Sequence, residues 1–228
     1  MKKYELTSET KVINGVELHR IKALKSFGNI KKGELGGWIE SEKNLSQDGN
    51  AWVYDNARVY DNARVYDNAM ISGNAKVDGD AKVYGHATVE ENAWVYGNAW
   101  VYGNATVYGN AWVYGNAKVY GNAKVYGNAK VYGDAKVSGN AKVSGDAKVR
   151  GDATVGEDAD YIVFKNWWSS GRYFTWTRSN NKWEVGCFYG SGEELIAKAY
   201  KDSEKSGREY ERVVKYVESI MEEENNNK

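Results

Sequence analysis

Residues 51 to 159 repeat one six-residue phrase, typified by Ala-Lys-Val-Tyr-Gly-Asn at 123–128. Ala recurs at every sixth position from Ala51 to Ala159. Val follows two residues later from Val53 to Val155, with Ile71 the single replacement, so eighteen copies run without an insertion. Self-similarity at a fixed short period constrains a fold more than any other sequence feature. Within each copy small, variable, β-branched and aromatic residues alternate. Period two is a strand with Ala and Val on the inner side.

The two remaining residues of each copy form a corner. The second is Asn in most copies, Asp at 80, 134, 146, 152 and 158, and His at 86. These types tolerate positive φ best, so the second corner position is expected to be left-handed. The first is usually Gly, but Asp55, Asp61, Asp67, Glu91 and Glu157 also stand there, so negative φ is expected for it. Four-residue strands joined by two-residue corners cannot form a meander with every Val facing one core. They can form a triangular coil of three strands and eighteen residues. Six coils follow, a prism about 29 Å tall at ~4.8 Å per coil.

An aliphatic residue in each hexad, with a small one two positions before it, resembles the left-handed parallel β-helix family. The resemblance implies the left-handed winding and a parallel trimer. Gly36-Gly37-Trp38-Ile39, then Leu45-Ser46-Gln47, then Asn50-Ala51-Trp52-Val53-Tyr54 sharpens it. Together these are similar to hexapeptide-repeat proteins of bacteria and their phages, often called polymer-forming cytoskeletal proteins. Some phage proteins of this build are sponges that hold nucleotide second messengers of bacterial immunity without cleaving them. Hexapeptide acyltransferases share the coil and often use a His on it as general base.

The expected fold is mainly β: a left-handed parallel β-helix over residues 51–159, an N-terminal β cap over 1–50 and a small α+β domain over 160–228. Asn14-Gly15 reads as the tight turn of a hairpin between Thr10–Ile13 and Val16–Leu24. The cap is expected to close the lower end of the solenoid, where strand edges would otherwise pair with other chains. After the repeat, residues 160–165, 172–178 and 182–189 read as strands rich in aromatic and β-branched residues. Ser191-Gly192-Glu193-Glu194 is a capping box opening a helix, and Ser206-Gly207-Arg208-Glu209 a second one. The end, Glu222 to Lys228, is expected to fray.

Thirty-one basic and thirty-one acidic residues balance, which argues against long nucleic acid or an anionic membrane as partner. Cys187 is the sole cysteine, so no internal disulfide exists and a reducing, cytoplasmic setting is expected. The start of the chain shows no apolar leader, and no run is long enough to span a membrane. Nine Trp and eighteen Tyr are many for so polar a chain, and most fall at outward positions of the repeat.

Residues eighteen apart stack on one face. The first face is mixed: Trp52, Tyr54, Ser72, Glu90, Tyr108. The second carries Trp94 and Trp112 beside Tyr96, Tyr114 and Tyr132. The third carries Tyr66, Tyr84, Tyr102 and Tyr120 with Trp100. Lysines then take over, from Lys118 and Lys130 to Lys148. Large exposed aromatic faces mark interfaces between copies. Aromatic rings also stack on nucleobases, and neighbouring lysines hold phosphates. Lys118, Tyr120, Lys130 and Tyr132 are expected to bring both group types together on adjacent coils. Trp168 and Arg172 extend the candidate list into the C-terminal domain, where one of Trp167 and Trp168 is expected to be exposed.

Nothing in the chain has the spacing of a zinc site, a phosphate loop or a GxSxG nucleophile. His86 reads most simply as a turn residue, and Cys187 as a core residue of a strand. The expectation is therefore no catalysis, no cofactor, no metal, and a homotrimer that takes a small nucleotide such as a cyclic oligonucleotide between subunits. A scaffold or adhesion protein without a ligand is the first alternative and a hexapeptide acyltransferase the second.

Overall fold

A computed structural model describes residues 2–226 and divides the chain into two compact units, Met1–Asp160 and Tyr161–Lys228. The first begins with β1 (Tyr4–Ile13), β2 (Val16–Ala23) and β3 (Leu35–Ile39). It continues with eighteen two-residue strands, one per hexad, from β4 (Trp52–Val53) to β21 (Thr154–Val155). These sort into three sheets in which each strand pairs in parallel with the one eighteen residues on, as in Val95 with Val113. The result is a parallel β-solenoid.

Its core is simple. Every Ala from Ala51 to Ala153 and every Val from Val53 to Val155 is buried, along with Ile71. The backbone of each coil bonds to the next: the Trp94 N–H donates to Ala111 O at 2.9 Å and the Tyr96 N–H to Val113 O at 3.0 Å. No coil can satisfy these groups alone, so the repeats stabilise one another as nearest neighbours.

Two expectations for the solenoid are corrected. First, the cap is partly a coil itself. Trp38 and Ile39 pair in parallel with Arg58 and Val59, and Leu45 bridges Val65, so the solenoid has about seven turns rather than six. Gly36 and Gly37 admit this rung: a Cβ at Gly37 would lie 2.7 Å from the Val53 side chain and 2.8 Å from the Ala57 carbonyl. The rung lacks the Ala of the hexad, which hides it from a period search. The hairpin forms as expected, with Asn14 and Gly15 at φ 51° and 83°.

Second, the corner is the reverse of the expected one. Positive φ falls on the first position, at Asp55 (52°), Asp61 (54°), Asp67 (59°) and Glu91 (60°), and on the glycines that replace them elsewhere. The second position is chosen for its side chain instead. Its amides stack into ladders up the edges, such as Asn104 Nδ2 to Asn122 Oδ1 at 3.0 Å and Asn122 to Asn140 at 3.1 Å. The aspartates that tolerate the strained position bind the coil above: Asp61 Oδ2 accepts from the Gly79 N–H at 3.2 Å.

The second unit is an antiparallel sheet of β22 (Tyr161–Lys165), β23 (Tyr173–Thr177), β24 (Lys182–Val185) and β25 (Phe188–Gly190), followed by α1 (Gly192–Asp202) and α2 (Glu204–Asn226). Phe174, Trp176, Trp183, Val185, Leu195, Val214 and Val217 form its core. Ser191 caps α1, its hydroxyl accepting from the Glu194 N–H. The second capping box does not open α2. That helix begins two residues earlier, and the Ser203 hydroxyl accepts from the Ser206 N–H at 3.1 Å. Of the end expected to fray, residues 222–226 are helical and 227–228 lie outside the described residues. Cys187 sits in the turn between β24 and β25 and is exposed, not core, because Gly186 breaks the expected third strand there.

Candidate functional site

The predicted site residues fall into three places. Trp94, Tyr96, Trp112, Tyr114, Lys130 and Tyr132 share the second face, and Trp100, Tyr102, Lys118 and Tyr120 share the third. Lys118 and Tyr120 are thus on a different face from Lys130 and Tyr132, and the four form no common pocket. Neighbouring hexads in sequence turn one corner of the prism, which is why adjacency along the chain misleads. Trp168 packs inward, its ring 5.9 Å from Phe174 and 5.8 Å from Tyr210. Trp167 is the exposed partner at 81%. Arg172 is exposed, and its backbone carbonyl accepts from the Asn166 N–H at 2.7 Å.

The rings of the ladders are already covered. On the third face Tyr66, Tyr84, Tyr102 and Tyr120 stack with centroids 4.8, 5.0 and 5.0 Å apart and planes within 5°. On the second, Tyr96, Tyr114 and Tyr132 stack at 4.8 Å. A base slipped between two rings needs roughly twice the ~3.4 Å stacking rise, so none fits there. The tryptophans carry cations instead. Lys82 and Lys118 lie 4.7 and 4.9 Å from the Trp100 ring, and Lys130 lies 4.0 Å from Trp112. Trp94 donates its Nε1–H to Asp78 Oδ2 at 2.7 Å. Burial raises the pKa of that carboxyl, although Tyr60 and Trp94 hydrogen bonds pull the other way.

Only the end of a ladder offers a free ring face. The lower end of the third face is such a place. Tyr66 stacks upward on Tyr84, and below it opens a groove of about 370 Å³ lined by Lys43, Leu45, Gln47, Arg64 and Lys82. A further recess of about 510 Å³ shares Lys43, Arg64 and Lys82 and reaches Trp100. Lys43 comes from a short turn outside the repeat. The buried Asn44 amide fixes that turn on the solenoid, donating to Asp61 O at 2.9 Å and Ala63 O at 3.0 Å. Gln47 is held by the Lys3 N–H at 2.7 Å. The nearby Glu42 is occupied by Lys2 at 2.6 Å. Among the described residues no ion pair joins Lys43, Arg64 or Lys82 to a carboxylate. Glu42 itself lines the groove and Asp80 the recess, so three cations face two carboxylates, and the site is half-open, positive on balance and roofed by one ring.

Sequence reasoning missed Lys43, Arg64 and Lys82. The spacing of eighteen that aligns Arg64, Lys82, Trp100, Lys118 and Lys136 on one face was the available signal; Lys43 had none. His86, the acyltransferase candidate, is an exposed corner residue whose backbone N–H donates to Gly103 O at 2.7 Å. No group of three metal-ligating side chains occurs among the described residues. No helix among them is long and apolar enough to cross a membrane.

A family model described as YdcK Beta solenoid repeat matches residues 51–65, 63–79, 81–97 and 99–115. A protein of Escherichia coli K12 named uncharacterized acetyltransferase YdcK is 36% identical over 63 residues, 24% of this chain and 19% of that protein. The expectation that the chain is no enzyme is corrected by this likeness, because the same repeat occurs in a protein named as an acetyltransferase. The hexads, their parallel winding and these matches together place the chain among the hexapeptide-repeat β-helix proteins.

Proposed function

We propose that the lower end of the third face binds a ligand carrying a flat ring and phosphates, a nucleotide in the broad sense. The observation that carries this reading is the convergence of Lys43, Arg64 and Lys82 on a groove whose roof is the uncovered face of Tyr66. Ring stacking and charge-assisted hydrogen bonds then act on one molecule. In its finer form, copies of the chain associate and the ligand is a nucleotide second messenger of bacterial immunity, held by a phage-encoded protein. A second reading is favoured by the likeness to YdcK. Coenzyme A also carries an adenine and phosphates, so the groove suits acetyl-CoA, with the acetyl group passing from its thioester to an amine or hydroxyl and the thiol released.

Calorimetry of the full chain against cyclic di- and trinucleotides, ADP-ribose and acetyl-CoA tests the common reading. Binding is expected to fall about tenfold or more in Arg64→Gln/Lys82→Gln, and about 5- to 150-fold in Tyr66→Ala, the loss of one stacking contact. Recovery of the ligand unchanged supports sequestration; release of free thiol supports transfer. No heat with any of these compounds sinks both.

A further inference from the structure

A second cluster of cations lies on the second face, under the N-terminal hairpin. Trp38 is 7% exposed, on the rung that pairs with Arg58. Lys11 of β1 places its ammonium 3.9 Å from the Trp38 ring centroid, and the Arg20 guanidinium of β2 lies 5.7 Å from it. Two donors here are buried without a hydrogen-bond partner: the Trp38 indole Nε1 and the Arg58 Nε. Buried donors in folded proteins are almost always paired, so two unpaired ones on adjacent rungs need an acceptor.

The charges point the same way. Among the described residues Glu9 is the carboxylate ion-paired with the cluster, 3.3 Å from Arg20. Arg20 spends its Nε on Gly36 O at 3.2 Å. Tyr60, the next outward residue after Arg58, hydrogen-bonds Asp78, and that carboxylate is engaged there and by the Trp94 indole. Burial first, and then Arg58 and Arg20, lower the Lys11 pKa to about 8. Lys11, Arg20 and Arg58 repel one another, and an anion among them would relieve that repulsion.

We propose that Lys11, Arg20, Arg58 and the Trp38 indole N–H form a binding site for a phosphate-type oxyanion. Such an ion has enough acceptors for every donor named, and the planar forks of the two arginines suit it. Lys11 covers the indole as a movable arm, exchanging a ring contact for the anion. The site is on a different face from the groove below Tyr66 and does not depend on a ligand there.

The test is titration of Lys11 by NMR in the full-length protein, with and without inorganic phosphate. Phosphate is expected to move the midpoint up from about 8, by roughly half to one pH unit. Acetate, with two acceptors, should move it less. The effect should persist in Arg64→Gln/Lys82→Gln, which separates it from the groove, and weaken about tenfold in apparent affinity in Arg58→Gln. A Lys11 midpoint unmoved by phosphate in the folded wild-type protein overturns the proposal, as does phosphate affinity within twofold of wild type in folded Arg58→Gln.

Discussion

The solenoid and the C-terminal unit bury their apolar side chains by opposite strategies. The solenoid spreads its core over eighteen nearly identical rungs of Ala and Val, each small and each bonded to its neighbours. The C-terminal unit concentrates its core in seven residues, three of them Phe174, Trp176 and Trp183, drawn from two strands and two helices. Injury to the first should be diluted along the coil, whereas injury to the second should be felt by the whole unit. The largest expected effect is therefore Trp183→Ala. Trp183 is 2% exposed and lies within 6.5 Å of both Phe174 and Phe164 by ring centroid. Removing it should destabilise the C-terminal unit by about 3–5 kcal/mol. Urea unfolding followed by near-UV circular dichroism reads the loss; a change under ~1 kcal/mol would break the contrast.

Overfilling the solenoid should be milder. Ala105 is fully buried beside a corner. Ala105→Leu adds three carbons where neighbouring coils leave no room, at about 1–3 kcal/mol. Far-UV circular dichroism during denaturation checks this, and a cost equal to that of Trp183→Ala would show that one rung commands the entire coil.

The two units also differ in which charges they bury. In the C-terminal unit the shifted groups Glu194, Tyr200, Glu211 and Lys215 are surface residues steadied by hydrogen bonds. The first unit buries Lys3, whose ammonium donates to Ala51 O at 2.9 Å and Asp48 O at 3.3 Å. Burial lowers its pKa from 10.5 to about 8, as for Lys11. The folded state thus releases these protons first, and between pH 8 and 10.5 the unfolded chain holds more of them. Stability of this unit should rise with pH through that window. Tyr4 and Tyr60 oppose the trend nearer pH 10, because burial keeps their hydroxyls protonated in the folded state only. The rise is therefore expected from about pH 8 to 9.5, should flatten in Lys3→Met, and should be absent from the C-terminal unit. Denaturation midpoints across that range decide it.

How much was legible follows the same division. The inward set of the solenoid was readable because Ala and Val repeat without a break, and the faces followed from a spacing of eighteen. The rung at Trp38 was not, since Gly37 stands where the hexad pattern has Ala. The groove was half-readable: Tyr66, Arg64 and Lys82 obey the spacing, while Lys43 reaches it from a turn outside the repeat, held by long-range bonds such as those of the Asn44 amide. In the C-terminal unit the strands were visible as aromatic and β-branched runs. Which of two adjacent tryptophans turns inward was not, because that is decided by Phe174 and Tyr210 across the sheet and helix.

The corner offers the finest test of rung independence, with the smallest expected effect. Glu91 and Asp61 both hold positive φ, at 60° and 54°, a conformation that costs an L-residue about 1–2 kcal/mol. Asp61 recovers part of this through its bond to the Gly79 N–H, whereas among the described residues no such side-chain bond joins Glu91 to the coil above. Replacing either by Gly relieves the strain but frees the unfolded chain by about 0.5–1 kcal/mol. Glu91→Gly should therefore stabilise by about 0.5 kcal/mol, while Asp61→Gly should be neutral or slightly destabilising, since a hydrogen bond near a charge is lost as well. If the coils act as nearest neighbours, the two changes combined should add within about 0.5 kcal/mol. A larger departure in the double variant would mean that strain at one corner is shared along the whole prism, and the diluted character assigned to the solenoid would have to be given up.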